Sequence, residues 1–399
     1  MSLSTIHVGV TSATLAARAR RMRSSARITL TALALVLAAA CSPGPPPAPA
    51  GEPASPADAG DAAVASPCAK GLRLEGSVCT ASLVGFTRSD VDLGSQRDHH
   101  TTHVFVVGGV PYLYVTGGTT GWKGEFSDVV RAKIRGDGGL EAFGEAGSLP
   151  LKIAGHSLVR VGDVLVLVGG TTGTSISSAT YTTKFGADGR IEGWTQGPNL
   201  PVGVMHTHAA VLGEYVYIAG GRGHKTGTSV AEVARMRVLA DGTTGPMEAL
   251  APLPADRSHG MVFERQGFIY LFGGLRGDPA GKHEPLADVI RAKPTPEGKL
   301  VWEPAGALAL PRSVTAAELV GDGVYVLGGL EGSATFRNDV LRGRFDGAGK
   351  LTFETLPAKL PSARGHVHQT PFFAGSMYSV GGINGAGKTF SSIDVATFE

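Results

Sequence analysis

The sequence YLYVTGG, at Tyr112–Gly118, decides the fold, because five further segments of the same kind follow it along the chain. Each is a short run of β-branched and aromatic residues that ends in two glycines, which is typical of a buried strand followed by a sharp turn. The first glycines of the six pairs are Gly117, Gly169, Gly220, Gly273, Gly328 and Gly381, at spacings of 51 to 55 residues. This period predicts an array of equal β units.

Each period divides into four predicted strands. An apolar first strand such as His156–Val161 precedes the strand that ends in Gly-Gly. The third strand repeats as SDVVRAKI, AEVARMRV, LADVIRAKP and NDVLRGRF, and the fourth follows an Asp-Gly or Glu-Gly turn. The pattern resembles the kelch repeat, in which one repeat is one four-stranded blade of a β-propeller. The resemblance implies an all-β, six-bladed kelch-type propeller over residues 80–399.

The last period lacks its fourth strand, because only Ser391–Phe398 fits after Gly381 and Gly382. A blade with three strands would leave an open edge. Residues 81–97 offer the missing strand, with Phe86 at the position where the fourth strand of other repeats has an aromatic residue such as Phe143 or Trp194. We therefore expect Thr80–Ser89 to pair beside Ser391–Phe398, so that an N-terminal strand closes the propeller.

The first 40 residues read as a signal peptide, since they contain five arginines, no acid and the apolar run Ile28–Ala40. The run ends in Leu-Ala-Ala-Ala-Cys41, which resembles the lipobox of bacterial lipoproteins and implies a lipid on Cys41. An ordinary signal peptide with an incidental cysteine is the alternative. Residues 41–67 are rich in Pro and Ala and predict an extended tether. Ser42 after the cysteine implies, by the same resemblance, anchoring in the outer membrane, facing the periplasm or the cell surface.

The other two cysteines, Cys68 and Cys79, lie eleven positions apart. In an oxidising compartment such a pair predicts a small disulfide loop over residues 68–79. A metal site is the competing interpretation, but two thiols lack the other two ligands that zinc prefers.

Composition excludes several functions. The chain has 399 residues, 42% of them hydrophobic, and a formal net charge of +2, so neither disorder throughout nor nucleic-acid binding is indicated. The motifs G-x-S-x-G and H-E-x-x-H do not occur in the sequence, and the glycine-rich string Gly382–Gly387 follows a strand without a helix after it, so phosphate binding is not indicated. We therefore expect no cofactor.

Binding residues are expected on one face. Because strands alternate in direction within a blade, the long loops after each Gly-Gly share a face with the beginnings of the first strands. Trp122 lies in the first such loop and offers a ring for stacking on a sugar. The first strands begin with an Arg-x-His pattern. Its fifth copy has Val314 where the arginine is expected, and His156 of the second repeat lies one position away from the place of the histidine. The candidate ligand-binding residues are Arg97, His99, Trp122, His206, His208, Arg257, His259, Arg364, His366 and His368.

Two interpretations of these residues stay open. They form a ring at the channel mouth that binds a metal or an anionic sugar, or they only hold neighbouring blades together. The predicted function is an envelope-tethered, non-catalytic module that binds a glycan or a protein. The alternatives are a carbohydrate-active enzyme such as a sialic-acid-type epimerase, with Glu125, Glu284 or Glu331 as acids, and a metal-binding propeller. A lone acid in the channel without a counterpart in other repeats would favour an enzyme.

Overall fold

The computed structural model describes residues 68–223, 228–277, 282–333 and 335–399. Within these ranges the chain forms strands and turns and no helix. Among the residues described, no helix is long and apolar enough to cross a membrane. Cys41, the signal peptide and the tether lie outside the described residues.

The described chain begins with a hairpin of β1 (Arg73–Glu75) and β2 (Val78–Thr80), followed by β3 (Leu83–Arg88). The hairpin is tied by a disulfide between Cys68 and Cys79, so the predicted pairing of these cysteines is confirmed.

Four-stranded antiparallel sheets follow in chain order, with the second strand of each ending at a Gly-Gly pair. Sheet I contains β4 (Thr101–Val107), β5 (Val110–Thr116), β6 (Asp128–Lys133) and β7 (Gly144–Ser148). Sheet II contains β8 (Ser157–Val161), β9 (Val164–Val168), β10 (Thr180–Lys184) and β11 (Thr195–Gln196). Sheet III contains β12 (His208–Leu212), β13 (Tyr215–Arg222), β14 (Ser229–Val238) and β15 (Thr244–Leu250).

The remaining sheets carry small additions to the same plan. Sheet IV contains β16 (Met261–Arg265), β17 (Phe268–Phe272), β20 (Asp288–Pro294) and β21 (Leu300–Ala307), with a hairpin of β18 (Leu275–Gly277) and β19 (His283–Pro285) beside it. Sheet V contains β22 (Arg312–Ser313) and β23 (Ala317–Val320) on one edge, then β24 (Gly323–Glu331), β25 (Thr335–Phe345) and β26 (Leu351–Lys359), and one parallel pair between β21 and β26 joins it to sheet IV. Sheet VI contains β27 (Phe372–Phe373), β28 (Ser376–Val380) and β29 (Ile393–Phe398).

The fourth strand of sheet VI is β3, from the beginning of the described chain. It runs antiparallel to β29, with Arg88 opposite Asp394 and Phe86 opposite Ala396. Backbone hydrogen bonds extend the pairing, since the Ser89 N–H donates to the Ile393 carbonyl at 2.9 Å. The predicted pairing of the N-terminal strand with the last strand is therefore present.

Apolar side chains pack between consecutive sheets. Six buried clusters lie at the junctions I–II, II–III, III–IV, IV–V, V–VI and VI–I. The cluster at VI–I joins Tyr378 and Val380 of β28 to Leu113 and Val115 of β5. Each buried side chain of this kind contributes roughly 1.5–3 kcal/mol by leaving water. The last sheet is thus packed against the first one as well as against its predecessor.

Tyrosines in the second strands connect the sheets through polar contacts as well. Buried hydroxyls donate to backbone carbonyls of the next sheet at 2.7–2.8 Å: Tyr114 to Gly189, Tyr270 to Gly349, Tyr325 to Ala81 and Tyr378 to Gly138. A buried tyrosine hydroxyl needs such a partner. The contacts recur at four junctions and fix the rotation of one sheet against its neighbour.

Candidate functional site

The first strand of each sheet is its inner strand. The beginnings of the inner strands are joined by a closed circle of backbone hydrogen bonds, which we call the inner ring. Each residue of the ring donates its N–H to the carbonyl of the preceding member, at 2.6–3.2 Å, and the first donates to the last. The members are His99, Gly155, His206, His259, Val314 and His366. One member precedes the inner strand of each sheet, so the ring ties all the sheets together at one end.

All members of the inner ring have a left-handed backbone, with φ between 51° and 61°. This conformation is uncommon for residues other than glycine and is least favourable for a β-branched residue such as Val314. The closed circle of backbone hydrogen bonds holds each of these residues in the left-handed conformation.

The four histidines of the inner ring, together with His368, form the imidazole cluster, defined as His99, His206, His259, His366 and His368. The ring centroids of His206 and His259 are 3.8 Å apart, and those of His99 and His366 are 3.9 Å apart. Both nitrogens of His206 and Nε2 of His99 are buried without a hydrogen-bond partner. The cluster is a stack of neutral rings rather than a network of hydrogen bonds.

Burial lowers the pKa of every imidazole in the cluster well below 6.5, and it lowers the pKa of His368 to about 4. The neighbouring imidazoles add to the effect, since each would repel a second positive charge. The histidines are therefore uncharged at neutral pH and do not form a cationic site there.

His99 is oriented by its neighbour Asp98, which is fully buried. One carboxylate oxygen of Asp98 contacts Nδ1 of His99, and the other accepts hydrogen bonds from the Gly121 N–H at 2.9 Å and the Thr389 hydroxyl at 3.0 Å. The contact at Nδ1 leaves Nε2 of His99 facing the cluster.

The predicted arginines lie at sheet junctions, buried behind the inner ring. Arg97, Arg257 and Arg364 each donate to the carbonyl of the first glycine of their own Gly-Gly pair, at 2.8–3.2 Å. Arg97 also binds both carboxylate oxygens of Asp128, at 2.9 and 3.0 Å. The guanidinium groups therefore form their hydrogen bonds with other residues of the fold.

The fifth repeat follows the same rule, and the prediction that Val314 replaces its arginine is wrong. Arg312 is the arginine of this repeat, and it binds Asp339 at 2.7 Å and the Gly328 carbonyl at 2.9 Å. Val314 stands instead at the position of the histidine in the inner ring. Sheets II and III have Ile153 and Val204 where the other sheets have arginine, and both side chains are buried in apolar clusters.

Two of the predicted histidines lie outside the cluster. Nδ1 of His208 contacts the Ala219 carbonyl at 2.8 Å, and its Nε2 accepts the Gly260 N–H at 3.0 Å. His156 contacts the Thr116 hydroxyl at 3.1 Å, while Gly155 occupies the place in the inner ring. Both side chains join neighbouring sheets.

Trp122 lies on the loop side of the imidazole cluster. Its ring centroid is 4.3 Å from that of His99, its side chain is 48% exposed, and its φ is 62°. A cavity of about 280 Å³ next to it, the Trp122 cavity, is also lined by Thr171, Ile176, Met205 and Arg222. A left-handed backbone is uncommon for a residue other than glycine, and Trp122 combines it with an exposed ring beside a cavity.

A larger cavity of about 340 Å³, the central cavity, lies on the other side of the imidazole cluster. It is surrounded by the inner segments of all the sheets, and His206, His259 and His368 of the cluster form part of its wall. Glu264, at the far end of β16, lines it and is exposed. The cavity therefore extends away from the long loops, toward the β16–β17 turn.

Glu318, on β23, is the other acid of the central cavity, and sequence reasoning missed it. It is half-buried, and desolvation raises its pKa to about 8. Among the described residues its carboxyl group accepts one hydrogen bond, from the Phe372 N–H, and this bond is long at 3.4 Å. The residues at the same distance from the inner ring in the other repeats are His103, Val159, Ala210, Phe263 and Thr370. Glu318 is the only acid in this row. This difference between the repeats is the one feature of the sequence that could have identified it.

The central cavity is not lined by the acids that the sequence offered as catalytic residues, Glu125, Glu284 and Glu331. Glu331 lies 3.5 Å from both Arg312 and Arg337, and Glu284 lies 3.4 Å from Arg276. Glu125 lies beside Gly173 at the long loops. In the part of the chain that is described, no three His, Cys, Asp or Glu side chains are arranged to hold a metal ion.

Comparisons with known proteins agree with the repeat and the sheets. No protein-family model matches the chain. The kelch repeat protein M-T8 of Myxoma virus (strain Lausanne) is 26% identical over 172 residues, which are 43% of this chain and 30% of the viral protein. The match thus spans less than a third of that relative.

A solved structure, that of YjhT, superposes with a TM-score of 0.52 at 15% identity, covering 65% of this chain and 84% of YjhT. The likeness concerns the fold alone. The chain is therefore an all-β protein of the β-propeller type, similar to kelch repeat proteins.

Proposed function

We propose that this chain is a six-bladed kelch-type propeller, anchored to the bacterial outer membrane through a lipid on Cys41, that binds a glycan or a protein without catalysis. Kelch-like repeats form binding modules, and the similarity to a kelch repeat protein supports that class. The observation that carries the proposal is Trp122, an exposed ring on the side of the long loops, next to a cavity of about 280 Å³.

Six blades are supported by the closed inner ring and by the cluster that packs sheet VI against sheet I. Removal of all residues before Asp90 deletes β3 and the partner of the Tyr325 hydroxyl, so it should abolish cooperative unfolding and cause aggregation. A chain that begins at Cys68 is the control and should unfold in one cooperative transition. Equal melting of the two chains would contradict closure by β3.

The anchor is supported by the lipobox-like sequence before Cys41. Cells fed a radiolabelled fatty acid should label the protein, and Cys41→Ser should remove the label and release the protein from membranes. Labelling of the Cys41→Ser protein would contradict the proposal.

The binding face is tested by a glycan array and by capture of envelope proteins, each with the wild type, Trp122→Ala and Val301→Ala. Val301 is a matched control, because it is 67% exposed but lies on β21, an outer strand. We expect at least a tenfold loss of binding for Trp122→Ala and none for Val301→Ala, since stacking on an aromatic ring supplies much of the affinity for a flat ligand. Unchanged binding by Trp122→Ala at an unchanged melting temperature would overturn the proposed face.

A further inference from the structure

We infer that the central cavity is a second binding site, separate from the Trp122 cavity, and that it takes a small organic amine whose ammonium group is held by Glu318. The volume of about 340 Å³ lies within the range of small-molecule sites. The inner segments of all the sheets line it, and the inner ring of backbone hydrogen bonds holds these segments together at one end.

The charges of the wall select a cation. Glu318 and Glu264 line the cavity, whereas no Lys or Arg of the described chain does. The histidines of the wall are His103, His206, His259 and His368, and burial keeps all of them neutral at pH 7. Tyr325, opposite Glu318 on β24, is neutral at pH 7 as well, because burial raises its pKa further above 10. An anion placed here would meet only acids and neutral groups.

Glu318 itself lacks a counter-ion. Within the described residues it forms no salt bridge, and its one hydrogen bond to the Phe372 N–H is 3.4 Å long. A carboxyl in this position stays protonated until a cation arrives to compensate the charge. The absence of any acid at this position in the other repeats shows that the propeller does not need one for packing.

A second, independent feature points to a ligand in the same cavity. His206 is 4% exposed and lines the cavity, yet neither of its ring nitrogens has a hydrogen-bond partner. Nε2 of His103, in the same wall, is also buried without a partner. Buried nitrogens without partners are rare in folded proteins, so these imidazoles mark the wall of the cavity as a place for a polar ligand.

The ligand is an amine rather than a metal ion or an uncharged sugar. No three ligand side chains of the described residues converge as a metal requires. Beside the polar groups, Leu158, Met261, Phe263 and Leu319 give the cavity an apolar wall. An alkyl or aryl amine matches both parts, with its ammonium group at Glu318 and its carbon skeleton against these side chains.

The test is titration calorimetry with n-hexylamine on the purified protein, with hexan-1-ol and hexanoate as the uncharged and the oppositely charged probes. We expect hexylamine to bind at least tenfold more tightly than either. Because Glu318 must lose its proton while the amine keeps its own, affinity should rise about tenfold per pH unit up to pH 8 and then level off. Titrations in buffers of different ionisation enthalpy should report release of one proton at pH 7.

The variants are Glu318→Gln, which should lose at least tenfold in affinity, and Glu264→Gln, which should lose less because its carboxyl is exposed. Trp122→Ala should bind hexylamine like the wild type, so failure here and failure of the proposed function are separate results. Equal binding of hexan-1-ol, no binding of hexylamine, or no proton release by the wild type would each overturn the inference. Zn²⁺ binding that excludes hexylamine and requires Glu318 would replace the amine by a metal.

Discussion

The beginnings of the inner strands differ from their middles in how far the residue types repeat from sheet to sheet. At the beginnings, the same residue types return in sheet after sheet: arginine in four repeats and histidine in four members of the inner ring. In the middles, the row that contains His103, Phe263 and Glu318 has a different residue in each repeat. The repeated arginines are buried and bonded within the fold, whereas Glu318 lines a cavity with one weak partner. Repetition therefore marks what holds the sheets together, and its interruption marks where a ligand belongs.

The most severe way to break the repeated region is Asp394→Ala in sheet VI. Asp394 is fully buried and lies 2.7 Å from Arg364, whose own side chain is 1% exposed. Removal of the carboxylate leaves a buried guanidinium without a counter-ion, and we expect a loss of about 3–5 kcal/mol in the free energy of unfolding. Urea denaturation followed by tryptophan fluorescence measures it. A loss below about 1 kcal/mol would show that the junction pairs matter little.

A smaller loss is expected for Arg257→Met in sheet IV. The partner Asp288 is 48% exposed, so water solvates the carboxylate once the arginine is gone. The methionine also resembles the apolar side chains that sheets II and III already use at this place. We expect a loss of about 1–3 kcal/mol in the same denaturation experiment. A loss as large as that of Asp394→Ala would contradict the role assigned to burial of the acid.

The third prediction concerns pH. The pKa of His206 is well below 6.5 in the folded protein because of burial, so below pH 6.5 the unfolded chain binds a proton that the folded one does not. Stability should therefore fall as the pH drops from 6.5 toward the folded pKa, and His206→Asn should reduce the slope by about 1.4 kcal/mol per pH unit. Asparagine tolerates the left-handed backbone of this position.

Val314→Asn is the matched control for that experiment, since it places asparagine in the same ring without removing a titrating group. Its unfolding should keep the wild-type dependence on pH between 6.5 and 4. If both variants kept the wild-type slope, the imidazole cluster would not be the source of the acid sensitivity.

Much of the fold was predictable from the sequence. The Gly-Gly period located the second strand of every sheet, and the missing strand after Gly381 predicted the pairing of β3 with β29. Both follow from the order of the strand patterns along the sequence. The disulfide of Cys68 and Cys79 followed from their number and spacing.

The site was less predictable. The Arg-x-His pattern identified the residues at the inner ring but not their role. Their burial and their pairing with Asp128 or Asp394 depend on the neighbouring strands, which the pattern does not describe. The fifth repeat was misaligned by two positions, since Val314 at the histidine's place hid Arg312. Glu318, in Thr-Ala-Ala-Glu-Leu-Val, looked like an ordinary strand residue, and only the ring of sheets turns it toward a cavity.

The measurement that tests this account most directly records the melting temperature and the hexylamine affinity together for Glu318→Gln and Arg257→Met. The account predicts that Glu318→Gln melts within a few degrees of the wild type but binds at least tenfold more weakly, because a neutral side chain of the same shape replaces a protonated carboxyl. It predicts that Arg257→Met melts at a lower temperature and, where folded, binds hexylamine like the wild type. Loss of melting temperature and affinity in proportion in both variants would contradict the division between residues that hold the sheets and residues that bind.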